Sequence, residues 1–412
     1  MSARFEPIAV VGRGCIVPGC DTPEALWRTV SEGLCHITAP APEAWRVGMD
    51  RVLSGDPGLY RHDHSWSAQG GYVGALAVQL DPSADLEPGL AEQLDPVFRW
   101  TLHAAGQALQ GVKRVAAERG GLILGNLSYP TQSLSRMVER QWVERALGKP
   151  LGPDVHPLNR FMSGSPAMLA ARAFDLRGGA LALDAACASG LYAIKIACDR
   201  LQDGRADLML AGSVNAADQL FLHVGFSALN ALSPSGRSRP FHREADGLVP
   251  AEGSTFVALK RLEDALAAGD RVYGVIRGIG LSNDGRSGGF LTPDRNGQVR
   301  AMRGALDQSG IAADLVQYVE CHATGTSVGD AVEIASLLQV YGQTALALGS
   351  LKANLGHLIT ASGIAGLIKT LAAMEHGRLP ATPGARPLSG AFEKTAFSVP
   401  AASASWEECD GQ

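Results

Sequence analysis

A cysteine at position 187 occupies a place suited to a nucleophile. An apolar run at Leu181–Asp184 predicts a strand, and helical spacing begins near Ser189. Alanines and Gly190 surround the cysteine, and such small neighbours permit a sharp turn that leaves the sulfur accessible. A helix start is expected to lower the thiol pKa from about 8.5 towards neutrality. The alternative is a buried structural cysteine, the commoner fate of an isolated cysteine among alanines.

Two histidines occupy similar positions. His322 lies in VECHATGTSVGDAVE after a predicted strand at Leu315–Val319, and a helix is expected from about Ala331. His357 lies in GSLKANLGHLITASG, between a predicted strand and an Ala/Gly-rich helix. One histidine at a strand end is more often structural, since only a proton or charge task requires imidazole there. Because three positions share this context, the sequence predicts one reactive centre.

The cysteine pattern argues against a metal site. Seven cysteines are scattered along the chain without a Cys-x-x-Cys pair, which disfavours a disulfide framework and a zinc ribbon. Cys321 adjoins His322, and its side chain is expected to point elsewhere. We therefore expect reduced thiols and no bound metal.

The elements that position these residues follow from apolar runs. Strands are predicted at PIAVVG, GLILGN, LALDAACASG, LMLAGS and ALALGS, and stretches with helical spacing lie between them. This alternation indicates the α/β class with parallel strands. The strand–turn–helix unit around Cys187 resembles the unit around His357, which would mean a duplicated fold; chance similarity of Ala-rich segments is the alternative.

Two segments lack strong core signals. Residues 233–253, SPSGRSRPFHREADGLVPAEG, are rich in Pro, Gly and charge, and they predict an ordered surface excursion or a lid. Three arginines in this segment could meet an acidic carrier protein or simply face water: Arg237, Arg239 and Arg243. The tail after Pro380 is expected to be loosely packed.

Composition excludes several classes of function. The chain has 412 residues, 46% hydrophobic content, a formal net charge of −5 and a pI near 6.1. A nucleic-acid-binding surface would need clustered Lys and Arg with an alkaline pI. No run approaches the roughly 18 apolar residues of a membrane span, and the start of the chain does not resemble a signal peptide. We expect a cytoplasmic protein.

Four ordered motifs resemble those of one enzyme family. They are DAACASGLYAIKIACDRL, SPSGRSRPFHREADGLVPAEG, ECHATGTSVGDAVE and GSLKANLGHLITASG. With the opening PIAVVGRGCIVPGCDTPEALWRTVSEG, they resemble the β-ketoacyl synthases of type I polyketide and polyunsaturated fatty-acid synthases, over about Pro7–Pro383. The resemblance implies a thiolase-like fold of two similar halves in five α/β/α/β/α layers, usually as a homodimer.

The resemblance also implies a reaction. Cys187 would accept an acyl chain from the phosphopantetheine of an acyl carrier protein as a thioester. His322 and His357 would assist decarboxylation of a malonyl thioester and hold the enolate oxygen, after which the enolate would attack the acyl group. The chain itself would bind no cofactor.

Further residues receive roles from the matching motifs. Lys352 would orient the site electrostatically with Glu333 as its counter-charge, although an ordinary salt bridge is the alternative. Thr324 and Thr326 match positions that contact the pantetheine arm, and turn chemistry could equally explain both threonines. Two more substrate-binding residues are expected in these motifs: Gly325, through close backbone approach, and Asn354.

The sequence departs from the family pattern in two places. The usual Glu-Ala-His-Gly-Thr-Gly-Thr reads Glu-Cys-His-Ala-Thr-Gly-Thr. The closing strands with a Gly-Phe-Gly-Gly loop are not found before SWEECDGQ, and losing the oxyanion donor of that loop would cost about 10²- to 10³-fold in rate. We predict a nucleophile-bearing half at 1–258 and a half with both histidines at 259–412, its last strands missing or supplied from elsewhere.

Three rival interpretations fit parts of the sequence. GRSGG around Ser287 fits Gly-x-Ser-x-Gly, but Pro293 and turn residues follow where a helix is needed. Gly12-x-Gly14 lacks the third glycine of a dinucleotide fingerprint. The stronger rival is a non-condensing partner protein that shapes a dimer or a chain-length pocket. Against it, a scaffold does not need an accessible thiol at a helix start.

Overall fold

A computed structural model describes residues 5–42, 44–54, 63–149, 155–286 and 292–406. The strands of this part of the chain are β1 Ile8–Ile16, β2 Ile37–Thr38, β3 Gly70–Gly71, β4 Gly120–Asn126, β5 Ala180–Leu183, β6 Leu208–Asn215, β7 Gly253–Arg261, β8 Gly274–Ile276, β9 Tyr318–Glu320, β10 Ala347–Gly349, β11 Arg378–Leu379 and β12 Ala404–Ser405.

The α-helices of the same residues are α1 Pro23–Ser31, α2 Met49–Val52, α3 Leu90–Gln93, α4 Pro96–Leu109, α5 Gln132–Leu147, α6 Ser165–Ala173, α7 Ser189–Gln202, α8 Gln219–Ala228, α9 Leu262–Ala268, α10 Arg295–Ser309, α11 Ser327–Tyr341, α12 Lys352–Leu355 and α13 Ser362–His376. Short 3₁₀ turns lead into α7 and α13.

The central sheet has six strands in the order β5-β4-β6-β7-β1-β8. The strands β5, β4 and β6 are parallel, whereas β7, β1 and β8 join in antiparallel ladders. Every residue of β1, β4 and β6 is buried, as the continuous apolar runs predict for strands covered on both faces. The α/β class is thus confirmed, but the expectation of parallel strands holds for only half of this sheet.

Helices cover both faces of the sheet. Residues of α4 and α6 form one core with the first face, including Phe98, Trp100 and Ala170. Residues of α7 and α13 form a second core on the other face, including Ile194 and Ile368. The helices α7 and α13 follow the turns that carry Cys187 and His357, so both reactive positions precede helices of the same layer.

The second half adds two more layers. The parallel pair β9 and β10 lies beyond α13, and Lys369 of that helix contacts Glu320 of β9. On the far side, Ile334 and Leu337 of α11 pack with Leu346 and Leu348 in a third core. The described residues therefore form α/β/α/β/α layers, as the resemblance implied.

The predicted division at 258/259 falls inside β7, the strand that pairs with both β1 and β6. A cut there would separate residues that share one ladder. The chain therefore continues through the central sheet before the segments that carry the histidines.

Two expectations about packing are wrong. The 233–253 segment is largely buried rather than a surface excursion: Phe241 is fully buried, and Ser233 Oγ donates to Asp246. The tail after Pro380 is not loose, since Phe392 packs edge-on against Phe241 and Val399 joins the third core. Internal hydrogen bonds allow a polar segment to be buried.

None of the helices among the described residues combines the length and apolar character needed to cross a bilayer.

Candidate active site

Cys187 lies on a tight bend between β5 and α7. Ala186, which precedes it, has a φ of +49°, a left-handed conformation that is costly for a residue with a side chain. Ser189 secures the bend, because its hydroxyl accepts from the Ala185 N–H at 2.9 Å and donates to the Ala186 carbonyl at 2.7 Å. The predicted elbow is present, with α7 starting at Ser189.

A glycine on the neighbouring strand lets the helix start approach the sheet. A Cβ atom at Gly125 of β4 would lie 2.8 Å from Ser189 Cβ and 2.9 Å from the Ser189 carbonyl carbon. Real Cβ atoms do not approach other atoms so closely, so a side chain there would displace the nucleophile turn.

His357 is held by the 233–253 segment. Its N–H donates to the Val249 carbonyl at 2.7 Å, and its carbonyl accepts from the Ala251 N–H at 2.8 Å. Ser362, at the start of α13, lies 2.9 Å from the ring atom Nδ1. The other ring nitrogen, Nε2, is thereby directed to Cys187, 2.9 Å from Sγ. Residues 233–253 therefore have a structural role in the site.

The Glu333 carboxylate positions the backbone of His322. The His322 N–H and the Ala323 N–H each donate to one oxygen of Glu333, both at 2.7 Å. The His322 ring faces the ring of His357 at nearly a right angle, with centroids 5.4 Å apart. The reactive atoms of Cys187 and both histidines lie within 4.8 Å of one another. The three predicted residues thus form one cluster.

The three side chains open onto one cavity of about 690 Å³. Thr324 and Thr326 lie on its wall, and their hydroxyl oxygens are 3.1 Å apart. Phe226 and Cys187 both pack against one small apolar cluster, and both line the cavity. The cavity therefore has a polar wall and an apolar region near the sulfur.

Lys352 is buried close to the cluster, and its relation to Glu333 is electrostatic. No ion pair joins these two side chains among the described residues; the Glu333 oxygens accept from two peptide N–H groups. The Lys352 ammonium lies 3.5 Å from the Cys321 carbonyl. Burial lowers the pKa of Lys352, while the negative charges of Glu320 and then Glu333 raise it. Glu333 thus acts on Lys352 through space.

The pKa of Cys187 contradicts the expectation of a thiol poised near neutrality. Burial raises this pKa to about 11, and the nearby Lys352 charge lowers it by a smaller amount. Packing of the cysteine against an apolar cluster removes the hydration that a thiolate needs, and the lowering by Lys352 and by a backbone hydrogen bond is smaller. At neutral pH the resting nucleophile is therefore a thiol.

Both histidines are neutral in the resting site. Burial, followed by repulsion from Lys352, lowers the pKa of His322 to about 3 even though its ring opens onto the cavity. The same two causes lower the pKa of His357 well below its ordinary value. A neutral imidazole has one lone pair and one N–H, so each ring can accept or donate a proton.

Two of the predicted substrate-binding residues lie elsewhere. Asn354 is fully buried, and its amide donates to the Leu34 carbonyl rather than facing the cavity. Gly325 has a φ of +82°, but its close backbone approach is to the 233–253 segment: its carbonyl accepts from the Gly247 N–H, and a Cβ atom would lie 3.2 Å from the Arg239 nitrogen. Both residues shape the fold around the site.

Several supporting residues were not found from the sequence. Ser362 holds His357, and Asp330 accepts from the N–H groups of Phe241 and Gly325. Burial raises the pKa of Asp330 to about 7. An acid within the motif around His322 was a usable signal, but nothing in the pattern showed which peptide groups it would bind.

A metal ion at this cluster is chemically conceivable, since one thiol and two imidazoles are donors for soft divalent ions. The sequence argument against a metal used ligand spacing, which does not cover donors from distant segments. Lys352 raises the electrostatic cost of a cation here, because its charge already disfavours protonation of both histidines. The absence of a metal stays a prediction.

The serine of the hydrolase interpretation, Ser287, lies outside the described residues.

Comparison with known families decides the affiliation. The model of the β-ketoacyl synthase N-terminal domain matches residues 5–265, and that of the C-terminal domain matches residues 273–386. The chain belongs to the β-ketoacyl synthase family. The break between the two matches follows β7, later than the predicted division.

Curated relatives are long polyketide synthases. A mycocerosic acid synthase-like polyketide synthase of Mycobacterium tuberculosis is 36% identical over 92% of this chain and 17% of its own length. A phthioceranic/hydroxyphthioceranic acid synthase of Mycobacterium bovis is also 36% identical, again over 92% of this chain and 17% of its own length. The chain thus spans less than a fifth of the length of these relatives.

Solved structures share the ketosynthase fold. The PfaC keto synthase–chain length factor superposes with a TM-score of 0.90 at 34% identity, over 97% of this chain and 45% of the other. The oxazolomycin ketosynthase domain OzmH KS7 of Streptomyces albus JA3453 gives 0.83 at 29% identity, over 97% and 68%. These matches confirm the thiolase-like fold.

Proposed function

We propose that this chain catalyses acyl transfer to Cys187 and decarboxylative condensation with a malonyl thioester. The observation that carries the proposal is the 2.9 Å contact between Cys187 Sγ and His357 Nε2, with His322 beside both. A nucleophile paired with a base, and a second imidazole across the same cavity, suits a two-step acyl transfer. The substrates would be carried on the phosphopantetheine of an acyl carrier protein.

The first step exchanges one thioester for another. When Nδ1 of His357 donates to Ser362, Nε2 presents its lone pair to the thiol and can take its proton. The sulfur then attacks the acyl carbonyl, a tetrahedral intermediate collapses, and the carrier thiol leaves with the proton. Because the resting thiol has a pKa of about 11, proton transfer must accompany the attack.

The second step forms the carbon–carbon bond. The malonyl thioester loses CO₂, and the electron pair of the broken bond leaves an enolate oxygen that needs hydrogen-bond donors. For this task the neutral rings of His322 and His357 each supply one N–H; in His357 the proton then lies on Nε2, and Nδ1 accepts from Ser362. The enolate carbon attacks the acyl thioester, and the sulfur of Cys187 is expelled as a thiolate that takes up a proton from water. Lys352 supplies positive charge without contacting the cluster.

The cavity suits such substrates. Thr324 and Thr326 offer hydroxyls to the amides of a pantetheine arm, and Phe226 offers an apolar surface to the acyl chain near the sulfur. Both threonines also bond to each other, so turn chemistry accounts for part of their geometry.

We also propose that the chain forms a homodimer. Three large apolar side chains of the segment from α5 to α6 are mostly exposed: Trp142, Phe161 and Met168. In the described sheet β5 is the edge strand, and it leads directly to Cys187. Exposed apolar side chains and an open sheet edge each favour association. Sedimentation of the wild type and Trp142→Glu tests this, since the variant should shift towards monomer.

A non-condensing partner protein is the rival function. The cluster of Cys187 with two histidines supports condensation, because shaping a dimer requires none of them. Decarboxylation of malonyl carrier protein by the purified chain tests the proposal. We expect CO₂ release that is lost in His322→Ala and retained in Cys35→Ala, which removes an exposed thiol. An inert chain that still dimerises would support the rival.

A further inference from the structure

A buried ion pair outside the cavity connects the segments that carry the site. Lys369, in the middle of α13, is fully buried, and its ammonium lies 2.7 Å from Glu320 Oε2. The Tyr318 hydroxyl donates to the same oxygen at 2.6 Å. The other oxygen, Oε1, accepts from the Leu351 N–H at 2.6 Å. One carboxylate therefore has three partners from three elements.

Two glycines leave room for this network. A Cβ atom at Gly366 of α13 would lie 2.9 Å from Glu320 Cγ. A Cβ atom at Gly349 of β10 would lie 2.1 Å from the Tyr318 hydroxyl and 3.2 Å from the Lys369 ammonium. The surrounding helix and strand thus accommodate the carboxylate, the phenol and the ammonium only because both positions lack side chains.

Glu320 connects the two segments of the chain that carry the histidines. Glu320 ends β9, two residues before His322. Its partner Leu351 immediately precedes Lys352, and α12 then leads to His357. A second tie joins the same two segments, because Ser350 Oγ donates to the Ala323 carbonyl at 2.9 Å. The carboxylate thus joins the strand end of one histidine to the turn that carries the lysine and the other histidine.

We propose that Glu320, fixed by Lys369, is a positioning residue that holds the Leu351 peptide and thereby places Lys352 beside Cys187 and the two histidines. The inference deepens the proposed function. The proposed role depends on one hydrogen bond, which the Leu351 N–H donates to Glu320. It can therefore be distinguished from the contribution that the ion pair makes to stability.

The test compares two double variants that both lack the ion pair. Glu320→Gln with Lys369→Met retains a side-chain oxygen that can accept from the Leu351 N–H. Glu320→Met with Lys369→Met has nearly the same shape and charge but no such acceptor. Removing both charges together avoids leaving one buried charge without its partner.

The rate of Cys187 alkylation by iodoacetamide at pH 8 is the first readout. The Lys352 charge lowers the pKa of Cys187, so displacement of Lys352 raises that pKa and leaves less thiolate. Both variants lose the Glu320 charge, which raises the pKa of Lys352, so both should react more slowly than the wild type. We expect the methionine variant to react about tenfold more slowly than the glutamine variant, which corresponds to one pKa unit. Equal rates in the two variants would overturn the inference.

Malonyl decarboxylation is the second readout, and it rests on the proposed function. The methionine variant should have a lower kcat than the glutamine variant, with little difference in KM between the two. Alkylation needs no substrate, so an inert wild type with the expected alkylation difference would count against the proposed function alone.

A second buried ion pair supplies a matched control. Lys260 lies in β7, and Asp270 follows α9. Their charged groups are 2.6 Å apart, and both side chains are buried. Lys260→Met with Asp270→Asn should lower the thermal midpoint while leaving the alkylation rate unchanged. If this control slows alkylation as much as the Glu320→Met double variant, the effect is general destabilisation and the inference fails.

Discussion

The Cys187 sulfur lies 2.9 Å from Nε2 of His357, although 170 positions separate the two residues in the chain. Each residue lies in the turn before a helix of the shared central layer, Cys187 before α7 and His357 before α13. The contact therefore results from the packing of two strand–turn–helix units, and its chemistry can be tested separately from that of His322.

His322 is predicted to serve condensation more than acyl loading, since His357 is the ring in contact with the sulfur. His322→Ala should lower malonyl decarboxylation by about 10²- to 10³-fold, the usual cost of one lost donor. Acyl loading should remain within a few-fold of the wild type when followed by intact mass. His376→Ala, which removes a surface histidine of α13, is the control. Equal loss of both steps would show that the roles are not divided.

The alkylation rate of Cys187 is predicted to depend steeply on pH. With a pKa of about 11, the thiolate fraction should rise about tenfold per unit from pH 7 to pH 10. Lys352→Met removes a charge that lowers this pKa, so its rate at pH 8 should fall. Peptide-resolved mass spectrometry after brief iodoacetamide treatment measures both. A plateau that begins near pH 8 would mean that the helix start controls the thiol.

Asp330 is predicted to make stability decrease as pH rises. Burial raises its pKa to about 7 in the folded chain, above its value of about 3.9 when unfolded. The folded state therefore holds the proton more tightly, so the contribution is complete below about pH 4 and is lost by about pH 7. Asp330→Asn should flatten the dependence of the thermal midpoint on pH over this range. An unchanged slope would contradict the assignment.

Gly325 is predicted to be intolerant of a side chain for two reasons. A positive φ costs about 1–2 kcal/mol for alanine, and the new Cβ would press on the Arg239 nitrogen and the Gly247 carbonyl. Gly269→Ala shares the positive φ but meets open space, so it isolates the first cost. Chemical denaturation should show a larger loss of unfolding free energy for Gly325→Ala. Equal losses would mean that the neighbouring segment yields without cost.

The sequence was most informative where residue type and local pattern coincide. Cys187, His322 and His357 each follow an apolar strand, and the carboxyl ends of strands bring such residues together. The same reasoning failed for Asn354 and Gly325, which share the motifs but face the protein. Short-range pattern does not show which side of a turn a residue faces.

Burial of polar segments was the main feature that the sequence did not reveal. Composition predicted that residues 233–253 lie on the surface, yet Val249 and Ala251 bind the backbone of His357. The charges of this segment are satisfied internally, as when Arg239 pairs with Asp246 at 3.2 Å. Likewise Glu333 was assigned to Lys352 by charge, whereas two peptide N–H groups take its oxygens. Such pairings depend on long-range packing.

The most direct test of the account is intact mass spectrometry after incubation with an acyl carrier protein thioester, followed by peptide mapping. The account predicts one acyl adduct on Cys187, absent from Cys187→Ala and retained in Cys35→Ala. An adduct on another residue, or no adduct on a folded chain, would contradict it.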